Sequence, residues 1–475
     1  MTGADLLTVL PLLILAATAV ALVLAIAFRR NHPLAATLTA SGVAVAWISL
    51  PLVSGAGPSQ VTPLIVVDNY AQFFIGLILA ASLAVAFLSY GFFEQSDDPE
   101  EFYLLLVIAT LGATVLAASN HFVSFFLGLE TLSVALYALI AYPHRLTRHI
   151  EASLKYLILA GTSGAFLLFG LALVYAETGA MAFGAAASPA LTGPVALMLL
   201  AGWGLMLVGI GFKLAVVPFH LWTPDVYEGA PAPVAAYVAT VSKGAIFALL
   251  VRFFVPAGIE QLEPVALVLA LIAIASMAVG NLLALLQDNI KRVLAYSSIA
   301  HMGYLLVAFL AGGDRAVIAV AFYLSAYFVT TLCAFGVVIA MSRSEKEADQ
   351  ITEYRGMFWQ RPWLAGILTV SLLSLAGVPL TVGFVGKFYL VLAGVGSTLW
   401  SLVLVLIVSS AIGVFYYLRI IVALYMQEPA DEARKPLSLS IGGGAALALL
   451  TLLLVGLGVY PGPALGIIQA MVARF

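Results

Sequence analysis

Charged residues and cysteine are scarce in this sequence. Of its 475 residues, 9% are charged and 63% are hydrophobic, and the mean hydropathy is +1.12. This composition excludes a soluble globular domain and predicts a polytopic membrane protein. The formal net charge of −3 carries no information about partners. The single cysteine, Cys333, lies in an apolar stretch, so we interpret it as a buried, inert thiol and expect no disulfide.

Sequence motifs for cofactors and metals are missing as well. No Walker loop, GxGxxG, CxxC or HExxH occurs. We therefore expect no cofactor and no metal site in this chain, and no residues for hydrolysis, redox chemistry or nucleic-acid binding. The N-terminal segment MTGADLL lacks the basic region and the cleavage site of a signal peptide. We interpret the apolar stretch after it as a retained membrane helix.

Long apolar runs are abundant and predict an all-α membrane fold with fourteen transmembrane helices. The predicted helices fall at residues 6–28, 34–55, 69–93, 102–118, 121–142, 154–176, 194–221, 232–254, 263–286, 292–311, 315–341, 363–396, 399–425 and 437–460.

Two of these predicted helices are interrupted. Pro218 breaks the seventh, and the segment GVPLTVG with Pro379 breaks the twelfth, which is too long for one span. Each break has a lysine beside it, and the two helices are five positions apart. An odd spacing predicts two inverted five-helix repeats. The expected units are residues 1–101 (three N-terminal helices), 102–262 (helices 4–8), 263–425 (helices 9–13) and 426–475 (helix 14).

The distribution of Lys and Arg predicts the orientation of the bundle. With the N-terminus outside, thirteen of the 20 fall on cytoplasmic loops and three fall outside, which fits the positive-inside rule. The cytoplasmic residues are Arg29, Arg30, Arg145, Arg148, Lys155, Lys291, Arg292, Arg343, Lys346, Arg355, Arg361, Arg434 and Lys435; those outside are Arg252, Arg315 and Arg474. Both termini are then periplasmic. The acidic loop 94–101 is inside, where it is either a solvated loop or a docking surface for a cytoplasmic partner.

The segment from Trp203 to Gly244 contains two lysines within apolar helices that run in opposite directions. Lys213 and Lys243 lie roughly 12 and 16 Å deep from the turn between them, at 1.5 Å per residue. Each costs about 2.5–3.5 kcal/mol to insert, so such lysines indicate function. Pro218 also leaves the carbonyl of Leu214 unbonded, which is tolerated at membrane depth only beside protein or water.

Glu130, in the fifth helix, is the only acidic residue that we place deep in a span. We interpret it as the partner of Lys213, or else as a neutral or backbone-bonded carboxyl. One acid cannot pair with Lys213, Lys243 and Lys387 together, so some of these lysines must be neutral or in water, and therefore able to exchange protons. Arg419 lies near a helix end, where it can reach the interface.

His301 is a second candidate for proton transfer. Its ordinary pKa of about 6.5 suits a relay, and Tyr296, Ser297 and Ser298 precede it in the same helix; a hydrogen-bonded core histidine is the alternative. His220 follows the break in helix 7 and is a further candidate at its mouth. Polar residues of the following turn are interpreted as caps and interfacial anchors: Trp222, Asp225, Tyr227 and Glu228.

At these residues the sequence resembles a known family. The segments KLAVVPFHLWTPDVYEGAPAPV, VSKG, KRVLAYSSIAHMGY and GVPLTVGFVGKFY look like the antiporter-like subunits of respiratory complex I, NADH:quinone oxidoreductase. Within the family the chain resembles the subunit N group, the bacterial counterpart of mitochondrial subunit 2 and of the corresponding plastid subunit. Lysine at position 387 argues against subunit M, and the lack of a long segment after helix 14 argues against subunit L.

The resemblance implies fourteen helices with inverted repeats 4–8 and 9–13. It also implies a proton channel in which Glu130 pairs with Lys213, Lys243 is central and Lys387 faces the periplasmic exit. The implied protein is a non-redox subunit of a proton-translocating NADH:quinone oxidoreductase in the bacterial inner membrane. Its expected partners are other membrane subunits, sibling antiporter-like chains, lipids, protons and water, with flavin and iron–sulfur clusters in other subunits. An Mrp-type sodium/proton antiporter subunit and a scaffold with vestigial lysines remain as alternatives.

Overall fold

The structure is a computed structural model that describes residues 3–53, 59–94, 96, 98–142, 146–187, 197–256, 258, 262–344, 346–427 and 439–473. Within these residues, thirteen continuous helices are long and apolar enough to cross a membrane. Two consecutive half-helices complete a fourteenth span. The all-α membrane fold expected from the apolar runs is confirmed.

The fourteen spans are numbered here α1 to α14. They are α1 Leu10–Phe28, α2 His32–Ile48, α3 Asn69–Phe93, α4 Glu100–Ala118, α5 Phe122–Ala141, α6 Thr147–Thr178, α7 Leu197–Leu214, α8 Ala232–Phe254, α9 Glu263–Ala284, α10 Ile290–Ala311, α11 Gly313–Met341, α12 Pro362–Ala376 and Val382–Gly396, α13 Trp400–Tyr425, and α14 Ile441–Val459.

Short elements lie between and beside the spans. They are the helices Gly3–Thr8, Leu50–Val53, Phe183–Ala187, Trp222–Gly229, Met357–Gln360 and Gly462–Val472, and the 3-10 turn Ile351–Tyr354. A β-hairpin is formed by β1 (Ser59–Thr62) and β2 (Ile65–Val67), and it was not predicted from the sequence. Its strands are antiparallel, and Ser59 pairs with Val67 and Gln60 with Val66.

Helix–helix packing has the same pattern in two groups of five spans. In the first group α4 packs on α5 and α8, and α6 packs on α7. In the second group α9 packs on α10 and α13, and α11 packs on α12. In both groups the fourth span is the broken one. This correspondence supports the predicted repeat, and the unit boundaries at residues 102, 263 and 426 stay a prediction.

The centre of the bundle is formed by α8 and α10. The apolar parts of these two helices are buried all round, whereas α1, α2 and α14 expose most of theirs. The exposed side chains of the outer helices include Leu24, Val45 and Leu452. Such faces suit a lipid environment, in which apolar side chains need no protein cover.

Both predicted helix breaks are present, and each contains a residue with positive φ, a backbone conformation that residues other than glycine rarely adopt. In α7 the helix ends at Leu214, well before the predicted residue 221, because Ala215 takes a left-handed conformation with φ of 61° and Pro218 follows. In α12 the first half ends at Gly377 with φ of 84°. Glycine is required there because a Cβ would lie 2.8 Å from Cδ of Lys387.

The helix α8 changes its winding immediately before Lys243. Residues Val238–Ser242 form a π-helical turn, and regular α-helix resumes at Lys243. Such single π turns within α-helices occur frequently at functional sites. The apolar run in the sequence predicts this span, but nothing in it predicts the π turn.

Candidate functional site

The three intramembrane lysines are buried, with 4% of Lys213, none of Lys243 and 8% of Lys387 exposed. Lys213 lies in the last turn of α7, next to the break. Its Nζ donates hydrogen bonds to Ser133 Oγ at 2.7 Å and to the hydroxyl of Tyr156 at 3.2 Å. The ammonium also lies 5.0 Å from the centre of the Tyr156 ring. Its partners are therefore neutral oxygen atoms and an aromatic face.

Glu130 lies in α5, one helical turn before Ser133, and is half-buried. The direct ion pair predicted from the sequence is absent, because no N–O distance of 4 Å or less joins Glu130 to a described basic residue. The nitrogen of Lys213 binds Ser133 instead, and so reaches the same face of α5 one turn away. Electrostatic coupling between the two residues stays a prediction.

Lys243 lies in the middle of the bundle, directly after the π turn. Its Nζ donates to Ser298 Oγ on α10 at 2.7 Å, and it lies 5.6 Å from the centre of the Tyr227 ring. Ser298 Oγ also accepts a hydrogen bond from the hydroxyl of Tyr327 on α11 at 2.6 Å. One serine oxygen thus links three central helices.

His301 continues this arrangement one turn along α10. Its Nδ1 lies 2.7 Å from the hydroxyl of Tyr323, and its Nε2 lies 3.4 Å from the hydroxyl of Tyr417. Tyr417 is in turn 2.5 Å from Ser297 Oγ. Both ring nitrogens therefore have hydroxyl partners. The rings of Tyr327 and Tyr304 lie 5.3 and 5.4 Å from the ring of His301.

Lys387 binds at the break in α12. Its Nζ donates to the carbonyl oxygens of Leu375 and Ala376, both at 2.9 Å, and to Ser410 Oγ at 2.7 Å. Pro379 explains one of these contacts, because a proline four residues after Leu375 has no N–H to donate to its carbonyl. The lysine thus caps the half-helix that the proline ends.

The chain of contacts from Lys243 to Lys387 is referred to below as the relay row. It consists of Lys243, Ser297, Ser298, His301, Tyr304, Tyr323, Tyr327, Lys387, Ser410 and Tyr417. Tyr304 belongs to it because its ring centre lies 5.2 Å from Nζ of Lys387 and 5.4 Å from the ring of His301. No described carboxylate forms an ion pair with Lys213, Lys243 or Lys387. The three lysines are therefore not held in place by ion pairs with described carboxylates.

Two candidates from the sequence lie outside the relay row. His220 is buried at the break after α7, and its Nδ1 has no hydrogen-bond partner among the described residues. Tyr296 is half-buried on α10 and makes no side-chain hydrogen bond to a described residue. Ser297, the third of the weaker candidates, does belong to the row through Tyr417.

Aromatic residues of the turn after α7 lie deeper than predicted. Tyr227 was interpreted as an interfacial anchor, but it is fully buried beside Lys243, and its hydroxyl lies 3.4 Å from Ser298 Oγ. The side chain of Trp222 is also buried, and its Nε1 donates to the carbonyl of Phe212 at 2.9 Å. Trp222 therefore caps the broken end of α7, as Lys387 caps that of α12.

The acidic residues of the same turn form ion pairs at its surface. Asp225 accepts hydrogen bonds from Lys155 at 3.0 Å and from Arg292 at 2.9 Å, and Glu228 accepts one from Arg292 at 2.7 Å. Partial burial opposes the charge of Asp225, but the bonds from Lys155 and Arg292 outweigh it and hold the pKa of this carboxyl below its ordinary value. These two acids form ion pairs with Lys155 and Arg292, and neither caps the short helix Trp222–Gly229.

Comparison with known proteins identifies the family of this chain. Residues 119–413 match the NADH:quinone oxidoreductase/Mrp antiporter transmembrane family, and this range includes Glu130, Lys213, Lys243, His301 and Lys387. The chain is also 35% identical to a chain in a structure of respiratory complex I from Thermus thermophilus with bound aureothin. That match covers 96% of this chain and 98% of the other, with a TM-score of 0.84.

The chain belongs to this family. Two solved structures with lower identity share the fold of this antiporter-like subunit. One is a chain of the Mrp complex from Dietzia sp. DQ12-45-1b, with 20% identity, a TM-score of 0.87 and coverage of 100% of this chain and 98% of the other. The other is a chain of the membrane-bound sulfane sulfur reductase, an archaeal respiratory membrane complex, with 23% identity, a TM-score of 0.84 and coverage of 99% and 97%.

Hydroxyl groups of the antiporter-like subunit are the functional candidates that sequence reasoning missed. Ser133, Tyr156, Tyr323, Tyr327, Tyr417 and Ser410 all contact a lysine, a histidine or their partners. A weak signal existed in the spacing, since Glu130 and Ser133, like Ser298 and His301, are three residues apart on one helix face. Membrane helices contain many such hydroxyls, so spacing alone does not select these.

Two basic residues counted as loop charges form buried ion pairs in the structure. Arg252, assigned to an outside loop, lies in the last turn of α8 and binds both carboxylate oxygens of Asp68 at 2.6 and 2.9 Å. Lys291, assigned to a cytoplasmic loop, lies in the first turn of α10 and is 2.5 Å from Glu347, with both side chains fully buried. Arg419 reaches the loop after α9, 3.5 Å from Asp288, as expected for a side chain that extends to the interface.

Proposed function

We propose that this chain is a proton-translocating membrane-arm subunit of an NADH:quinone oxidoreductase. The observation that carries the proposal is the relay row. Hydroxyl groups bind each of Lys243, His301 and Lys387, tyrosine rings lie between these residues, and no described carboxylate pairs with either lysine. The 35% identity to a complex I chain over nearly the whole length adds support. The chain itself has no redox role in this proposal.

Proton transfer through the row requires each lysine to be neutral for part of the time. When Lys243 is protonated, its N–H donates to Ser298 Oγ. When it is neutral, its lone pair accepts from the serine hydroxyl, so the hydrogen bond reverses and the proton has an onward route. His301, with hydroxyls at both ring nitrogens, can accept at one and donate at the other. Water completes the route at the breaks and where neighbouring groups share no hydrogen bond, as between Tyr327 and His301.

One helix break lies beside Lys213, outside the relay row, and the other lies beside Lys387, at one end of the row. Near Lys213 the helix α7 stops, and Glu130 with Ser133 provides a charge and a hydroxyl. Near Lys387 the first half of α12 ends, and the carbonyl groups of Leu375 and Ala376 at this end bind the ammonium group of the lysine. A positive charge at one lysine raises the cost of a charge at the next, because both lie in a medium of low dielectric constant. Protonation of one site therefore favours release from another, with energy supplied by redox chemistry in other subunits.

The same proposal assigns the membrane and the partners. The bacterial inner membrane is the expected location, with both termini in the periplasm and the loop from Arg343 to Arg361 in the cytoplasm. Of the charges that support this orientation, Arg145, Arg434, Lys435 and Arg474 lie outside the described residues. Sibling antiporter-like subunits are the expected neighbours, and flavin and iron–sulfur clusters belong to other chains of the complex.

Subunit composition tests this assignment against the Mrp-type alternative, which the Dietzia match keeps open as a fold-level likeness. The tagged chain should be purified from its native membrane in mild detergent. The proposal expects co-purifying redox subunits, flavin and iron–sulfur content, and NADH:quinone activity. Other antiporter-like chains without any redox subunit, together with sodium-dependent proton exchange in vesicles, would support the antiporter instead.

A further inference from the structure

A long groove lies on the outer surface of the bundle, away from the relay row. It has a volume of about 480 Å³ and lies between α3, α11 and α14, with Trp47 of α2 at one end. Large apolar side chains form most of its walls, and small residues, among them Ala80 and Ala84 on α3 and Ala445 on α14, leave the space between them. The described lining residues are apolar apart from the indole nitrogen of Trp47, which is bonded to the carbonyl of Gly76.

The length of the groove matches one leaflet. From Phe87 to Leu77 it follows ten residues of α3, which is about 15 Å along a helix axis. Half of a hydrocarbon core of ≈ 30 Å is also about 15 Å. The groove therefore suits a single extended acyl chain in the leaflet nearer to the C-terminal end of α3.

A second cavity of about 630 Å³ joins the groove at that end. The two cavities share Phe87 and Gly442 and adjoin each other at these residues. The second cavity is more polar than the groove, since Thr37, Tyr90, Glu94 and Ser440 contribute to its lining. The Tyr90 ring stacks on His32 with ring centres 4.4 Å apart, which fixes an aromatic side chain at the level of the lipid head groups.

The charge at this mouth points to the kind of head group. Glu94 lies one turn beyond Tyr90, is exposed, and forms no ion pair with a described residue. A carboxylate that faces the head-group region attracts an ammonium group and repels an anionic lipid. We propose that the combined cavity binds a phospholipid with an amine head group, one acyl chain in the groove and its ammonium at Glu94.

Brominated lipids test the proposal, because bromine quenches tryptophan fluorescence at short range and Trp47 lines the groove. The full chain, with the subunits that accompany it, is reconstituted with acyl-brominated phosphatidylethanolamine or phosphatidylglycerol. The Trp47 signal is the difference between wild type and Trp47→Phe. We expect phosphatidylethanolamine to quench Trp47 at about two- to fivefold lower mole fraction, as one exposed ion pair allows.

Three variants separate specific from bulk lipid. Glu94→Gln should abolish the preference between the two lipids. Ala445→Phe should fill the groove and reduce Trp47 quenching, whereas Ala165→Phe, at an exposed position of α6, should not. Equal quenching by both lipids in wild type would mean bulk contact only. Equal effects of the two phenylalanine variants, or a Trp47 that neither lipid reaches because a neighbouring subunit covers it, would also overturn the proposal.

Discussion

At the scale of single residues, the three lysines are held by neutral oxygen atoms. Lys213 binds two hydroxyls, Lys243 binds one, and Lys387 binds a hydroxyl and two carbonyls. A buried ion pair would fix the charge of a lysine, whereas neutral partners stabilise the ammonium without preventing release of its proton. This difference is what makes the lysines suitable for transfer rather than for cross-linking helices.

Glu130 is predicted to tune Lys213 through space rather than by contact. We expect Glu130→Ala to leave the complex assembled and to lower proton uptake per NADH oxidised well below the wild-type ratio, because it removes a carboxylate one helical turn from Ser133, which binds Lys213. Proton uptake into inverted vesicles measures this. Ser133→Ala is the matched control, since it removes the hydroxyl but keeps the charge, and it should reduce uptake less. Wild-type uptake in Glu130→Ala would refute the coupling.

The sequence predicted the ionisable members of the site but not their partners. Lys213, Lys243, Lys387 and His301 stand out because a charged or imidazole side chain in an apolar run is costly wherever the helix packs. Tyr417 and the other tyrosines of the relay row do not stand out, because a tyrosine is compatible with any face of a membrane helix. Its role arises from the packing of α13 on α10, which is set by tertiary contacts that no local pattern reports.

At the scale of elements, the broken helices are stabilised by side chains that replace missing backbone bonds. Trp222 donates to Phe212 at the first break and Lys387 to Leu375 at the second. Both breaks were predictable, since proline in a long apolar run removes a backbone donor at a known position. The π turn before Lys243 was not, because VATVS has no residue that excludes regular helix.

The ion pair between Lys291 and Glu347 should be a strong structural contact. Glu347 also accepts a hydrogen bond from the N–H of Ala232 at 3.1 Å, and Lys291 donates to the carbonyl of Ala230 at 2.8 Å, so the pair joins the starts of α8 and α10. We expect Glu347→Ala to destabilise the fold by about 3–5 kcal/mol, because it leaves a buried ammonium unpaired. Thermal unfolding of the purified protein in detergent measures the loss. The paired replacement Lys291→Met with Glu347→Leu should restore much of the stability; if it were as damaging as Glu347→Ala alone, the unpaired charge would not be the cause.

Asp225 provides the contrasting case of an ion pair near the surface. Its side chain is 37% exposed, so Asp225→Asn should cost less than about 1 kcal/mol. Because its pKa is lower in the folded state, this contribution exists above the ordinary carboxyl pKa of about 4 and disappears as pH falls through the folded value. Melting temperatures of wild type and variant should differ slightly at pH 7 and converge in acid. A difference that grew in acid would contradict this sign.

At the scale of the whole molecule, the orientation in the membrane can be tested directly. A cysteine reporter is convenient because the one natural cysteine, Cys333, is buried. Lys346→Cys, in the exposed part of the proposed cytoplasmic loop, should resist an impermeant thiol reagent on intact spheroplasts and react once they are permeabilised. Asp314→Cys, exposed at the opposite end of α11, should react in both conditions. Labelling of position 346 in intact cells would reverse the topology.

The central claim is that Lys243 and Lys387 must release protons and not merely carry charge. Proton uptake per NADH oxidised, with assembly checked on native gels, tests it in Lys243→Arg and Lys387→Arg. Arginine keeps the positive charge but, with a pKa above 12, does not release its proton. Both arginine variants are therefore expected to assemble and to take up protons nearly as poorly as the alanine variants. Normal uptake in both would contradict the relay and leave these lysines a purely structural role.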